Sequence, residues 1–358
     1  MKASFSIVLP LFGLLALILL AGTSCEVLAP RPTLAAPLEL TTPTPLPTRR
    51  PSPTPRPILS PTPRPTSTVT PTATVTPDPR LPTATLEDAP PEATLPPVVL
   101  TPLAADLTAT LPPDIIAFGQ TVEGRPLLAQ RLGNGPRQLL LVGGIHGGWE
   151  GNTVELMLAV IAHFSEEPAA IAPGLTLVII PALNVDGLLR GRVEEGRFNA
   201  NGVDLNRNWG CEWSAEAIWR NQRVDPGRAA FSEPETAALA DYILLNLPAA
   251  VIFYHSAANG VFAGACNGDH GSQALADAYG RAATYPSDGR FLAYRVTGDA
   301  SNWVDGQGIP ALTVELQSWT DPEIARNLAG IMAVQCELTR RRTDSAARAW
   351  VTAHCAGE

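Results

Sequence analysis

Residues Gln138–Phe164 read Q-L-L-L-V-G-G-I-H-G-G-W-E-G-N-T-V-E-L-M-L-A-V-I-A-H-F, and this stretch sets the fold class. Its first part, Gln138–Ile145, is a nearly continuous apolar run, the pattern of a strand covered on both faces. From Asn152 to Phe164 the apolar residues recur at helical spacing: Val154, Leu156, Met157, Val160, Ile161 and Phe164. Glycines fill the turn between them, where the backbone can approach a ligand closely. A buried strand feeding a helix through a tight turn is the unit of an α/β protein.

The same alternation continues outward. Leu127–Leu132 reads as a strand, and the turn Gly133-Asn134-Gly135 predicts that it pairs with the strand that follows. Leu175–Ala182, Ala250–Tyr254 and Ala311–Leu316 are further strands. Ser232-Glu233-Pro234-Glu235 reads as a capping box with proline in the first turn, so a helix is expected to about Asn246. Gln273–Ala283 and Pro322–Thr339 are expected helices. The order implies a largely parallel or mixed sheet with helices on both faces. In such sheets ligands sit at the carboxyl ends of the strands.

The chain has 358 residues and a formal charge of −9, an acidic balance that argues against nucleic acid as partner. Of its 36 prolines, 24 lie between Pro30 and Pro113, mixed with threonine. Residues 26–113 have too little apolar content to offset chain entropy and read as a disordered, partly polyproline II linker. Before it, Lys2, the apolar run Phe5–Ala21 and the small residues up to Cys25 read as a signal peptide or lipoprotein signal over residues 1–25. Cys25 is a candidate acylation site and membrane tether. The folded domain, 114–358, is then extracytoplasmic, secreted or anchored to a bacterial cell surface, and expected as a monomer. Cys211, Cys266, Cys336 and Cys355 remain, an even number suited to an oxidising compartment. Of the three possible pairings, Cys211–Cys266 (two loops near the candidate site) and Cys336–Cys355 (a staple on the C-terminal helix) are favoured.

Two histidines stand where strands end. His146 leaves the first strand and Glu150 begins the next helix, while His255 follows Ala250–Tyr254. Two histidines and a carboxylate leave a coordination position for water, the pattern of catalytic zinc. His163 and His354 read as packing residues and His270 as a solvated loop residue. A second polar concentration is Arg197–Trp209, R-F-N-A-N-G-V-D-L-N-R-N-W. Its two arginines, carboxylate and asparagines suit recognition of an anion, with Arg207 offering a planar fork to a carboxylate.

These residues, with Phe118–Arg125, Asn184-Val185-Asp186-Gly187, Asn206-Arg207-Asn208-Trp209, Phe231–Glu235 and Thr313-Val314-Glu315-Leu316, resemble the zinc metallocarboxypeptidases, the carboxypeptidase A-like peptidases. The resemblance covers most of the folded part. It implies a single α/β/α sandwich domain with a mixed, mostly parallel sheet, and one Zn2+ per chain. By position, His146, Glu150 and His255 would be the metal ligands. Asp204 would orient His146. Glu315 would be the general base and Arg197 the oxyanion donor. Asn206, Arg207 and Tyr294 would hold the substrate's free C-terminal carboxylate.

One departure concerns the ligands themselves. Three residues, Gly147-Gly148-Trp149, separate His146 from Glu150 where the family usually has two, and an arginine often carried there is missing. The segment Val296–Asn302 implies a specificity pocket, in which Asp299 would favour a basic group such as lysine, arginine or diaminopimelate. The implied activity is hydrolysis of a C-terminal peptide bond by an extracytoplasmic zinc metallopeptidase acting on a peptide or muropeptide. The rivals are a γ-D-glutamyl–diaminopimelate peptidase, a deacylase of small amino-acid conjugates, and a non-catalytic binding protein of the same fold.

Overall fold

The computed structural model describes residues 111–266, 271–287, 291 and 293–355. The expected signal segment, nearly all of the Pro/Thr-rich linker and His270 lie outside the described residues.

The apolar runs become the strands β1 Ile115–Gln120, β2 Pro126–Gly133, β3 Arg137–Val142, β4 Leu175–Ile180, β7 Ala250–Ser256, β8 Gly260–Ala263 and β9 Ala311–Leu316, with a two-residue pair, β5 Ile218–Trp219 and β6 Gln222–Arg223, apart from them. The helices are α1 Gly151–Glu166, α2 Val185–Leu189, α3 Pro234–Asn246, α4 Ser272–Ala283, α5 Ala300–Gly306, α6 Ile324–Arg340 and α7 Ser345–His354. The seven-stranded sheet runs β1-β2-β4-β3-β7-β9-β8. Its middle strands β4, β3, β7 and β9 are parallel and its outer ladders antiparallel.

Side-chain alternation divides the core into two layers. On one face Leu139, Leu141, Leu177 and Ile179 pack with α1, α4 and α6 through Met157, Phe164, Tyr279 and Val334. On the other Leu140, Val142, Val178 and Ile180 pack with α3 and α5 through Leu239, Ile243 and Val304. Helices on both faces of a mixed sheet make the expected α/β/α sandwich. All six residues of β4 and all seven of β7 are buried, which is why both read as largely apolar runs.

Two local expectations are corrected. β2 and β3 do not pair with each other; β4 lies between them, with Val178 opposite Arg131 on one side and Leu140 on the other. A strand apolar on both faces needs a neighbour on each edge. Residues 134–136 are long enough to cross the two strand spacings, about 10 Å, that this takes. Ser232 does not cap α3: Glu233 is the N-cap residue and makes no side-chain cap bond. Ser232 instead accepts from Asn208 Nδ2 and donates to Glu233 Oε1.

Both favoured disulfides are present, Cys211–Cys266 and Cys336–Cys355, the second joining α6 to the end of α7. The carboxyl ends of β3, β7 and β9 lie side by side, with His255 in register with Glu315. Three separate segments thereby deliver His146, His255 and Glu315 to one rim.

Candidate metal centre and substrate pocket

After β3 the chain turns at once into α1, and Gly147 and Gly148 make this possible. A Cβ on Gly147 would stand 2.5 Å from the Gly196 carbonyl, and one on Gly148 2.3 Å from that of Gly191. Gly147 also has φ +49°. The extra residue between His146 and Glu150 is absorbed here, by backbone packed against the 187–196 loop.

His146, Glu150 and His255 form a buried cluster whose ligand atoms all lie within 4.8 Å of one another. Glu150 Oε1 is 2.7 Å from His146 Nδ1, and Oε2 is 3.3 Å from His255 Nδ1. The two Nδ1 atoms are 3.2 Å apart. Two tetrahedral zinc ligands about 2.0–2.1 Å from the ion stand about 3.3 Å apart, so the donor set fits the metal. Burial alone would raise the Glu150 carboxyl, but the charge and hydrogen bond of His146, followed by His255, hold it below the ordinary carboxylate range. The anionic form a metal requires is thus the form this site stabilises.

Arg197 and Asp204 lie behind the cluster. Arg197 Nε and Nη2 both donate to Asp204 Oδ2, at 3.0 and 2.8 Å, and Nη1 is 3.4 Å from Glu150 Oε1. Burial opposes charge on both groups. Arg197 outweighs it for Asp204, which titrates well below its usual value, and Asp204 and Glu150 keep Arg197 protonated. Asp204 Oδ1 is also 3.4 Å from His146 Nε2, a nitrogen without a hydrogen-bond partner. The guanidinium of Arg197 lies 4.3 Å from the centroid of the Trp219 ring.

A cavity of about 440 Å3 opens on this cluster and is lined by nine of the ten residues singled out in the sequence, Asp204 alone standing behind it. Arg207 donates from Nε to the Ile218 carbonyl and from Nη1 to the Asn206 carbonyl, which fixes its guanidinium at the wall. Tyr294 lies beside it, with Arg207 5.9 Å from its ring centroid; burial raises its phenol above the usual value against the pull of Arg207 and Arg197. Glu315 accepts from the Ala258 backbone at 3.2 Å. Burial pushes its carboxyl up to about 7, against the pull of His255 and with the push of Glu150.

Asp299 lines the cavity, but its oxygens are engaged. Oδ1 accepts from Ser301 Oγ and the Asn302 backbone as the N-cap of α5, and Oδ2 accepts from Asn206 Nδ2. Its carboxylate holds Asn206, whose Oδ1 in turn accepts from the Ala300 backbone. Thr313 donates to Ser301 Oγ, which extends the chain to the strand that carries Glu315. Ser301 and Thr313 were not singled out in the sequence, although Thr313 shares the face of Glu315 by the two-residue period of β9. Trp219 had no such signal. The other asparagines of the polar loop face away: Asn199 and Asn208 bond to Glu233, Glu235, Thr236 and backbone carbonyls. His163 packs on Phe164 and His354 on Trp350, the packing roles expected of them.

Known proteins resemble this chain in sequence and in fold. A family model described as zinc carboxypeptidase matches residues 105–318. An inactive metallocarboxypeptidase, ecm14, of Talaromyces marneffei is 27% identical over 154 residues, 36% of this chain and 26% of that one. Murein peptide amidase A of Escherichia coli K12 is 26% identical over 234 residues, 62% of this chain and 89% of that one. The chain therefore spans about a quarter of the first relative and most of the second. Among solved structures, bovine thrombin-activatable fibrinolysis inhibitor in complex with tick carboxypeptidase inhibitor superposes with a TM-score of 0.56 at 19% identity, over 64% of this chain and 90% of that one.

Proposed function

The chain belongs to the zinc carboxypeptidase family, and from that premise we propose that it is a metallopeptidase that hydrolyses the peptide bond next to a free C-terminal carboxylate. The observation that carries this reading is the placement of Glu315 beside a two-histidine, one-carboxylate cluster at one end of a cavity whose wall holds Asn206, Arg207 and Tyr294. Zinc would be held by His146, Glu150 and His255, and when bound would supply Lewis acidity to the scissile carbonyl and to water. Glu315 takes a proton from the attacking water and passes it to the leaving amine. Its raised pKa suits both halves of that task near neutral pH. Arg197, kept charged by Asp204 and Glu150, donates to the oxygen that gains charge. Asn206 and Arg207 hold the terminal carboxylate, and Tyr294 covers it. Asp204 orients His146 through Nε2.

A second reading is favoured by the extent of the match to murein peptide amidase A, 89% of that protein. Under it the substrate is a muropeptide and the bond a γ-D-glutamyl–diaminopimelate amide. Against the deacylase reading, Asn206, Arg207 and Tyr294 all line the cavity; against the non-catalytic one, so do Glu315 and the three candidate ligands. We further propose an extracytoplasmic enzyme tethered through its N-terminal segment, at Cys25 or by the apolar run, a location that suits the two disulfides.

The test is metal content together with mass spectrometry of a C-terminal peptide library and of muropeptides, before and after incubation with the protein. One zinc per chain and loss of single C-terminal residues from peptides is the expected result. Cleavage of muropeptides alone would select the second reading, and failure to bind zinc would overturn both.

A further inference from the structure

The charged residues that line the cavity fall into two groups, and most of them are bonded to the protein. Arg197 donates to Asp204 and Glu150, Arg207 donates to the Ile218 and Asn206 carbonyls, and Asp299 accepts three hydrogen bonds. Glu212 and Arg295 are the exceptions. They line the same cavity, both are exposed, and among the described residues neither forms an ion pair or a side-chain hydrogen bond. An anion and a cation thus stand where the cavity opens, each without a partner in the protein.

Both charges neighbour the residues proposed to hold the terminal carboxylate. Arg295 follows Tyr294, and Glu212 lies five residues after Arg207. The two segments are fastened side by side at Gly298, which donates to the Cys211 carbonyl at 3.0 Å and accepts from the Trp209 amide at 3.1 Å. Gly298 is left-handed, φ +62°, and a Cβ there would stand 2.3 Å from the Arg207 carbonyl, so this close approach requires glycine. The Cys211–Cys266 disulfide fixes the residue before Glu212. Glu212 itself is left-handed, φ +50°, a conformation that residues other than glycine and asparagine adopt at a cost.

One wall of the cavity is apolar. Phe262 meets Phe291 edge-on at 5.4 Å between centroids, Phe291 meets Tyr294 at 5.0 Å, and Val296 and Ala263 also line the space. A C-terminal residue held by its α-carboxylate at Arg207 would extend its side chain along this wall. Methylenes suit the wall, and a charged end suits the opening.

We propose that Glu212 and Arg295 form a paired-charge subsite that selects a C-terminal residue whose side chain ends in both an ammonium and a carboxylate. Glu212 takes the ammonium, and the planar fork of Arg295 takes the carboxylate. This inference rests on the hydrolase reading above. A lysine side chain offers only the first charge and 2-aminoadipate only the second; diaminopimelate offers both on one carbon.

The experiment uses four peptides that differ only in the C-terminal residue: norleucine, lysine, 2-aminoadipate or diaminopimelate. Each is made with an α- or a γ-linked glutamate before that residue and given to the wild-type full chain and its Glu212→Gln and Arg295→Gln variants. Turnover is read as kcat/KM relative to the norleucine peptide. Binding is read as the same ratio of association constants on a Glu315→Gln background, by quenching of tryptophan fluorescence. Exposed charge contacts predict an advantage of about threefold for lysine and for 2-aminoadipate, and about tenfold for diaminopimelate. Glu212→Gln should remove the lysine advantage and keep that of 2-aminoadipate. Arg295→Gln should do the reverse, and each should lower the diaminopimelate ratio about threefold. Ratios near 1 in the wild type, or unchanged in either variant, would overturn the subsite. A loss of equal size on all four peptides in Arg295→Gln would overturn it too, by assigning Arg295 to the terminal carboxylate. Binding ratios of the expected pattern without turnover of any peptide would leave the subsite standing and remove the hydrolase reading instead.

Discussion

Two buried polar clusters stand within the same stretch of fold, and they differ in what their hydrogen bonds leave over. In the first, Glu233 and Glu235 accept from Asn199, Asn201, Ser232 and the Val122 backbone, and Asn208 ties the start of α3 to the polar loop. Its donors to the carboxylates are neutral, and none of its buried side-chain polar atoms lacks a partner. In the second, Glu150, Asp204, Arg197, His146 and His255 crowd together, yet the Nε2 atoms of both histidines have no hydrogen-bond partner and two Nδ1 atoms face one carboxylate. The first cluster is complete as it stands and joins three segments. In the second, two ring nitrogens and a carboxylate converge within 4.8 Å, where a cation would be held. Convergent lone pairs, not polarity, separate the site from its scaffold.

The sharpest test replaces one carboxylate in each cluster. Glu150→Gln removes the anionic ligand, and bound zinc is expected to fall from one per chain to a small fraction, with activity lost in step. Glu233→Gln is expected to keep zinc and activity per folded molecule. It should lower stability by about 1–3 kcal/mol, because Oε2 accepts from two asparagine amides and an amide side chain has one oxygen fewer to offer. Metal analysis and denaturant unfolding of the two variants measure both. Full zinc occupancy in Glu150→Gln would erase the distinction drawn between the clusters.

How these clusters read in the sequence differs as well. His146, His255 and Glu315 were legible because each ends or lies in an apolar strand, and parallel strands deliver their carboxyl ends to one rim. Glu150 was legible because no other carboxylate follows His146 closely. The division of labour among the asparagines was not legible: Asn199, Asn206 and Asn208 sit in one run, but which of them faces the cavity depends on α3 and α5, far along the chain. The same holds for the partners of Asp299, which lines the cavity as expected but is also bonded to Asn206, Ser301 and a helix end. Nor could residues 133–135 announce that β4 would separate β2 from β3, since a turn signal carries no information about a strand that arrives later. Trp219 lies in a two-residue strand, too short for any period.

A smaller effect probes the edge between metal and support. Asp204→Asn keeps shape but loses charge, leaving Arg197 with Glu150 alone and the Nε2 side of His146 without an anion. Zinc affinity or activity is expected to fall about 10- to 100-fold, the usual cost of removing a partner of a metal ligand. Competition with a chelator measures it. An unchanged affinity with lower activity would assign Asp204 to Arg197 rather than to the metal.

The mildest test is pH, which should read the clusters on different scales. Burial raises the carboxyl of Glu315, to about 7, and also raises that of Glu235. A protonated Glu315 cannot accept a proton, so kcat/KM should fall as pH drops through its pKa, and bound zinc should move that limb below 7 by favouring the anion. Glu235 acts on stability instead. Because its folded pKa lies above the unfolded one, its term is fully present below the unfolded carboxylate range and is lost as pH rises through the folded value. Glu235→Gln should flatten that decline in unfolding free energy while leaving the acid limb of kcat/KM in place. If the activity limb moved with Glu235, the two clusters would be electrostatically coupled, and the boundary between scaffold and site would have to be drawn elsewhere.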